Sequence, residues 1–136
     1  MIIVKNRRAY KMLKQKDILY VKGGCPFSYK FLIYLNETNH LSDFEVKVAH
    51  ADEDSYEEIA NYLKAKTNSS PSFPTVETAG GEFKSGSDEL IQEYSDIYKI
   101  PRENIKMIDY WEANMMPRMR NVMKQLREVK AKLADV

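Results

Sequence analysis

The sequence predicts an α/β fold in which a four-stranded mixed sheet is flanked by helices and followed by a C-terminal helical extension. Apolar runs typical of buried strands alternate with segments whose apolar residues recur at helical spacing. Two later strand-like runs are separated by Gly80-Gly81, a pair that suits a hairpin turn because glycine adopts positive φ. The order helix, β, α, β, α, β, β, α implies a parallel strand pair and then antiparallel strands in the same sheet.

Composition limits the classes of protein to consider. The chain has 136 residues, which fits one domain able to bury about two thirds of its unfolded surface without cross-links. Its single cysteine rules out an internal disulfide and predicts a reducing compartment. The N-terminus lacks a signal-peptide pattern, and no apolar run approaches about 18 residues, so we expect a soluble cytoplasmic protein without membrane contact. Basic residues concentrate near both ends, which we interpret as solvated helix faces rather than a nucleic-acid site.

The first strand, turn and helix bring the cysteine to a reactive position. Ile18–Val21 reads as a buried strand, Gly23-Gly24 as the turn and Phe27–Leu35 as a helix. Cys25 then falls at the helix N-cap with Pro26 in the first turn, where the missing N–H of proline costs nothing. Free backbone N–H groups and the helix dipole favour a thiolate there. Cys25 is therefore a candidate nucleophile, the alternative being a small buried apolar residue.

The remaining elements of the first half follow from local patterns. Residues 1–15 are expected to contain a short helix before the first strand. Phe44–Val48 alternates apolar with charged residues, as a half-buried strand does. Asp52–Asp54 supplies an acidic first turn to a helix whose apolar face runs from Tyr56 to Leu63. Residues 67–72 form a polar loop.

The second half begins with the hairpin. We expect a strand at Phe73–Thr78, with a proline at its second position, and a returning strand at Glu82–Lys84. Ser87 or Asp88 is the expected N-cap of a helix over Glu89–Tyr98.

The extension from Arg102 onward carries one amphipathic stripe, interrupted by Pro117, which should kink or split the helix. We expect the stripe to cover the back of the sheet or the first helix. A homodimer through this C-terminal helix is the alternative. The stripe contains Ile105, Ile108, Trp111 or Glu112, Met115, Met119, Val122, Leu126, Val129 and Leu133.

Three motifs in this order resemble the glutaredoxin family over roughly Lys16 to Tyr98. The segment KGGCPFS around Cys25 is similar to the family's active-site pattern K-x-x-C-P-[YF]-[CS], in its single-cysteine form. Pro74, some fifty residues later, resembles the cis-proline that faces the active cysteine. The segment SGSDEL at residues 85–90 resembles the family's G-G-x-D-[DE]-L. The resemblance implies a thioredoxin-like fold, with a glutaredoxin-like domain at residues 1–100, including an N-terminal helix or arm at 1–15, and an amphipathic extension at 101–136.

The resemblance also implies an enzyme, a glutathione-disulfide oxidoreductase with glutathione as co-substrate. Cys25 would attack a glutathione mixed disulfide, and Lys22 would pair with the glycine carboxylate of glutathione. Phe73, just before Pro74, would offer its backbone N–H and C=O to the cysteinyl part. Phe27 would form a wall of the groove.

The γ-glutamyl end of glutathione would lie at the second helix N-terminus. Ser87 and Asp88 would bind it, because free N–H groups suit its carboxylate and the Asp88 side chain suits its ammonium. Glutathionylated or disulfide substrates would be the partners of such an enzyme.

Departures from the family pattern narrow the expected chemistry. Ser28 stands where a second cysteine would be, which leaves the monothiol route, in which a second glutathione resolves the adduct on Cys25. Pro26 replaces the glycine of the iron–sulfur carriers, so [2Fe-2S] binding ranks lower, although a dimer could bridge a cluster through two Cys25 thiolates and two glutathiones. A glutathione transferase and a non-catalytic interaction module are the rival functions.

Overall fold

The computed structural model describes residues 15–135, and the helix expected within the first fifteen residues lies outside the described part. The strands are β1 (Asp17–Lys22), β2 (Phe44–Ala49), β3 (Thr75–Glu77) and β4 (Phe83–Ser85). The helices are α1 (Pro26–Glu37), α2 (Asp54–Thr67), α3 (Ser87–Tyr98), α4 (Lys106–Tyr110) and α5 (Met116–Ala134). A π-helical turn, Trp111–Met115, joins α4 to α5, and 3-10 turns lie at Leu41–Asp43 and Arg102–Asn104.

The four strands form one mixed sheet in the order β2-β1-β3-β4. β1 pairs with β2 in parallel, and the register joins Asp17 to Phe44 and Lys22 to Ala49. β3 is antiparallel to both β1 and β4. The α/β class and the mixed sheet are thus as the sequence predicts. The parallel pair follows from the helical crossover between β1 and β2, and the antiparallel pair follows from the short hairpin.

Helices cover both faces of the sheet, because alternate residues of β1 point in opposite directions. Leu19 and Val21 join the main core, which also contains Phe31 of α1 and Leu90 of α3. On the other face the ring of Tyr20 lies 6.0 Å from that of Tyr62 on α2. Burial of one large apolar side chain contributes about 1.5–3 kcal/mol, so these two layers supply most of the driving force for folding.

Predicted boundaries around the hairpin are wrong by one or two residues, and β4 is Phe83–Ser85 rather than Glu82–Lys84. β3 begins at Thr75 rather than at Phe73, because the proline between them has no N–H for the strand ladder. The N-cap of α3 is Gly86, not Ser87 or Asp88. Gly86 has φ of 98°, a conformation that glycine adopts without steric cost, and the helix begins at Ser87, two residues earlier than expected.

The first half of the extension belongs to the core, and the second half leaves it. Ile105, Ile108 and Trp111 are buried in the same cluster as the sheet and α1, so the expectation that the stripe covers the sheet or the first helix holds for this part alone. Pro117 lies in the first turn of α5, directly after the π-helical turn, so the predicted interruption is present. Beyond it the stripe is 51–68% exposed, at Val122, Leu126, Val129 and Leu133. No helix among the described residues combines the length and apolar character needed to cross a bilayer.

Candidate active site

Cys25 is the N-cap of α1, as the sequence predicts. Its backbone is extended, with φ of −84° and ψ of 120°, and the Ser28 N–H donates to its Sγ at 3.5 Å. The Cys25 N–H donates to the Lys22 carbonyl at 3.1 Å, which closes the turn between β1 and α1. Gly24 adopts φ of 76° within this turn. The half-buried thiol therefore lies at the positive end of a helix, where backbone N–H groups stabilise negative charge.

Ser28 has a structural role in the same turn. Its side chain is buried, and its hydroxyl accepts a hydrogen bond from the Lys22 N–H at 3.2 Å. This bond ties the end of β1 to the first turn of α1. The position that a resolving cysteine would occupy thus holds a hydroxyl group that supports the Cys25 turn and has no thiol chemistry.

Lys22 and Phe73 lie at the same end of the sheet. The ladder between β1 and β3 ends at the pair Tyr20 and Thr75, and Lys22 and Phe73 each lie two residues beyond that pair. Tyr56 of α2 lies between their side chains. The Lys22 Nζ is 5.5 Å from the Tyr56 ring centroid, and the Tyr56 and Phe73 rings are 6.3 Å apart. The tyrosine thus contributes a cation–π contact to Lys22 and a packing contact to Phe73.

The loop before β3 is joined to the N-terminus of α3. The Phe73-Pro74 bond is cis, as the resemblance implies, and the Pro74 carbonyl accepts from the Gly86 N–H at 3.2 Å. No described residue forms a hydrogen bond with the backbone N–H or C=O of Phe73. These two groups are therefore available to an extended ligand, which could pair with them as an added strand.

Ser87 and Asp88 form the first turn of α3. Ser87 is buried, and no residue of the described chain accepts from the backbone N–H groups of these two residues. Such free N–H groups at a helix N-terminus bind carboxylates and phosphates. The arrangement fits a carboxylate at this end of the site.

The carboxylate of Asp88 already has two cationic partners. Lys30 of α1 and Arg102 both donate to its Oδ1 at 2.7 Å. The hydrogen bond from Lys30, followed by that from Arg102, holds the pKa of Asp88 below its usual value. Glu112 completes the network, since it accepts from Lys30 at 3.0 Å and contacts Arg102. The Asp88 Oδ2 atom has no bond to a described residue, so a ligand ammonium would share this carboxylate with two protein cations.

The extension reaches the Cys25 turn through Trp111 and α5. The Trp111 Nε1–H donates to the Pro26 carbonyl at 3.2 Å, and its ring meets the edge of the Tyr29 ring at 4.6 Å between centroids. Phe27, which is partly exposed, lies between two cations, with the Lys30 Nζ 6.0 Å and the Arg120 guanidinium 5.5 Å from its ring centroid. The surface that Phe27 forms beside Cys25 is therefore shared with α5.

A cavity of about 460 Å³ opens beside Cys25 on the side away from β3. Its walls are mainly apolar and include Val21, Leu32, Trp111 and Met119. A separate cleft of about 550 Å³ lies between the sheet and α2, and none of the predicted site residues lines it. Because the smaller cavity contains the only sulfur nucleophile of the chain, it is the one relevant to chemistry at Cys25.

The chain matches no protein-family model, no characterised protein and no solved structure. Within residues 15–135 no three His, Cys, Asp or Glu side chains are close enough together to hold a metal ion. The case for a function therefore depends on the residues and their geometry.

Sequence reasoning brought Cys25, Lys22, Phe73, Pro74, Ser87 and Asp88 to one end of the sheet, but it missed the residues that support them. Of these supporting residues, Lys30 was the easiest to infer from the sequence. It lies at helical spacing between apolar neighbours on the buried face of α1, and a lysine in such a stripe indicates a buried ion pair. Tyr56, Arg102 and Met119 carried no comparable signal, because nothing in their local sequence distinguishes them from ordinary helix or surface residues.

Proposed function

We propose that the chain is a glutathione-dependent thiol–disulfide oxidoreductase with a thioredoxin-like fold, and that it acts as a monothiol glutaredoxin. The observation that carries the proposal is the convergence at Cys25. The thiol caps α1 and accepts from the Ser28 N–H, while the unpaired backbone of Phe73 and the first turn of α3 at Ser87 lie at the same end of the sheet. A four-stranded mixed sheet with helices on both faces also accords with the architecture that the resemblance implies.

Glutathione binds in an extended conformation across this end of the sheet. Its glycine carboxylate pairs with Lys22, and its cysteinyl backbone pairs with the N–H and C=O of Phe73. Its γ-glutamyl carboxylate accepts from the free N–H groups at the start of α3, and its ammonium shares Asp88 with Lys30 and Arg102. Because two protein cations already pair with Asp88, most of the binding free energy comes from the other contacts.

The reaction consists of two thiol–disulfide exchanges. The Cys25 thiolate attacks the glutathione sulfur of a mixed disulfide, a new disulfide forms between Cys25 and glutathione, and the other sulfur leaves as a thiolate that takes a proton from water. The thiolate of a second glutathione then attacks the bound glutathione sulfur. Glutathione disulfide leaves, and Cys25 returns as the thiolate. Each exchange is a two-electron step with no external oxidant, and no second protein thiol takes part.

Turnover of a glutathione mixed disulfide tests this proposal. The mixed disulfide of glutathione with 2-mercaptoethanol is supplied with glutathione, and formation of glutathione disulfide is followed with glutathione reductase and NADPH. We expect Cys25→Ser to lower kcat/KM at least about a hundredfold, because serine has no comparable nucleophile. Ser28→Ala, the matched control, removes one hydrogen bond and should keep kcat/KM within about tenfold. Equal turnover by wild type and Cys25→Ser would contradict the proposal.

One observation favours a transferase as the second candidate. An apolar cavity walled by the C-terminal extension lies directly beside Cys25, and such a cavity could hold an apolar electrophile for conjugation to glutathione. Conjugation of 1-chloro-2,4-dinitrobenzene to glutathione, without turnover of the mixed disulfide, would favour this candidate over the oxidoreductase. If neither reaction occurs in wild type, the non-catalytic module becomes the better description.

A further inference from the structure

We propose that the cavity beside Cys25 binds the part of the disulfide substrate that is not glutathione, and that it selects substrates whose leaving thiol carries an aromatic or branched aliphatic group. The inference rests on the proposed function and names its substrate class. The C-terminal extension then has the role of selecting that class of substrate.

The chemical character of the cavity comes from its walls. Val21 at the end of β1 and Leu32 on α1 form one side, and Trp111 and Met119 of the extension form the other. Lys22 is the one charged side chain among the lining residues, and its ammonium lies over the Tyr56 ring. A volume of about 460 Å³ is within the range of small-molecule sites, and burial of apolar surface is the main contribution that such walls offer to binding.

Lys22 borders both the cavity and the proposed glutathione site, whereas Phe73 and Pro74 lie on the opposite side of Cys25 from the cavity. Val48 of β2 lines the cavity, whereas Phe73 and Pro74 precede β3. Because β1 lies between β2 and β3, the thiol that follows β1 stands between the two regions. Glutathione itself has two carboxylates and an ammonium, and Lys22 is the one charged side chain in the lining, so most of its charged groups would lose hydration without a partner among the apolar walls. The cavity therefore suits the other half of the disulfide.

The extension contributes one fixed and one flexible side chain to the cavity, Trp111 and Met119. Trp111 is buried, its indole N–H is bonded to the Pro26 carbonyl, and its ring is packed edge-on against Tyr29. Met119, two turns further along the stripe, is partly exposed and has an unbranched side chain that adjusts to the shape of a guest. Such a site accepts a class of apolar groups rather than one compound.

The reaction balances with the two substrates of the proposed function. In the first exchange, the Cys25 thiolate and the mixed disulfide give the Cys25–glutathione disulfide and the apolar thiolate, which leaves the cavity and takes a proton from water. In the second, glutathione reduces that adduct and is released as glutathione disulfide. The apolar half never becomes attached to Cys25.

A pair of mixed disulfides tests the inference. Glutathione is joined to benzyl mercaptan in one and to 2-mercaptoethanol in the other, and kcat/KM is measured for both. We expect about a tenfold or greater preference for the benzyl compound, since one apolar group in a pocket gives a discrimination of that order. Met119→Lys should abolish the preference. Leu126→Lys, on an exposed position of the same helix outside the cavity, should retain it.

Two glutathionylated peptides distinguish a small-molecule source of the apolar group from a protein source. One peptide has phenylalanine beside its cysteine and the other has glycine there. A preference for the benzyl disulfide alone indicates a small thiol, and a preference for the phenylalanine peptide indicates an apolar-flanked protein cysteine. Equal kcat/KM across both pairs, in an enzyme that turns all of them over, would overturn the inference and leave the proposed function intact.

If no mixed disulfide is turned over, the proposed function fails, and the cavity is tested by alkylation of Cys25. The rate constant for N-benzyl iodoacetamide is then compared with that for iodoacetamide in wild type and in Met119→Lys. A selective rate increase for the benzyl reagent that Met119→Lys removes would support an apolar binding site at Cys25. Equal ratios in the two proteins would overturn it.

Discussion

Lys30 has two carboxylate partners, and this redundancy leads to a non-additive effect on stability. The side chain is 3% exposed, and its ammonium lies 2.7 Å from Asp88 and 3.0 Å from Glu112. At an effective dielectric constant near 20, each pair has a gross Coulomb energy of about 6 kcal/mol, most of which is offset by the desolvation of the lysine. Asp88 is 64% exposed, so solvent screening reduces its share further.

Removal of one partner leaves the ammonium paired with the other. We therefore expect Asp88→Asn and Glu112→Gln each to lower the free energy of unfolding by only about 1 kcal/mol. The double variant leaves the buried ammonium without a carboxylate and should lose about 3–5 kcal/mol, clearly more than the sum of the singles. Adding Lys30→Met to the double variant removes the unpaired charge and should restore much of the loss.

Urea denaturation followed by circular dichroism measures these free energies, with equal m-values as the check that only stability has changed. A double variant that loses no more than the sum of the two single variants would refute the reasoning. So would a triple variant that is less stable than the double, because the unpaired lysine would then not be the source of the loss.

Three further predictions concern pH, the indole contact and the exposed stripe. The pKa of Asp88 is lowered in the folded state, so its contribution is complete above about pH 4, and the stability difference between wild type and Asp88→Asn should shrink as the pH falls below that value. Trp111→Phe removes the hydrogen bond to the Pro26 carbonyl and should cost about 1–2 kcal/mol in urea denaturation, with Trp111→Ala costing more. Arg118, Lys130 and Lys132 flank the apolar stripe of α5, so two copies pairing through it would bring like charges together. Because salt screens that repulsion, any such homodimer should strengthen with salt in sedimentation experiments and be lost in Leu126→Glu. An association that weakens with salt would refute pairing through this face.

The sequence predicted the parts of the molecule that depend on local chemistry. The turn from β1 to α1 needs Gly24, Pro26 and Ser28, all within a few residues of Cys25, so the N-cap position could be inferred from the chain itself. The hairpin at residues 78–82 is equally local. The start of α3 was placed two residues too late because serine and aspartate are common caps, whereas the observed cap is Gly86, whose N–H donates to the Pro74 carbonyl outside the local sequence.

The supporting residues of the site could not be predicted, because their contacts join distant parts of the chain. Lys30 and Asp88 are 58 residues apart, and Trp111 and Pro26 are 85 residues apart. Periodicity in the extension identified an apolar face, but it carried no information on where that face would leave the core. On the same stripe Trp111 is buried and Leu126 is exposed, because the core offers a packing surface to Trp111 and none to Leu126.

The central claim is that Cys25 attacks the glutathione sulfur of a mixed disulfide. A single-turnover experiment tests it most directly: the protein is mixed with a glutathione mixed disulfide labelled in its glutathione half, quenched with acid and analysed by intact mass and peptide mapping. We predict one labelled glutathione on Cys25, released by added glutathione and absent in Cys25→Ser. An adduct of the other half of the disulfide, or no adduct on Cys25, would contradict the claim.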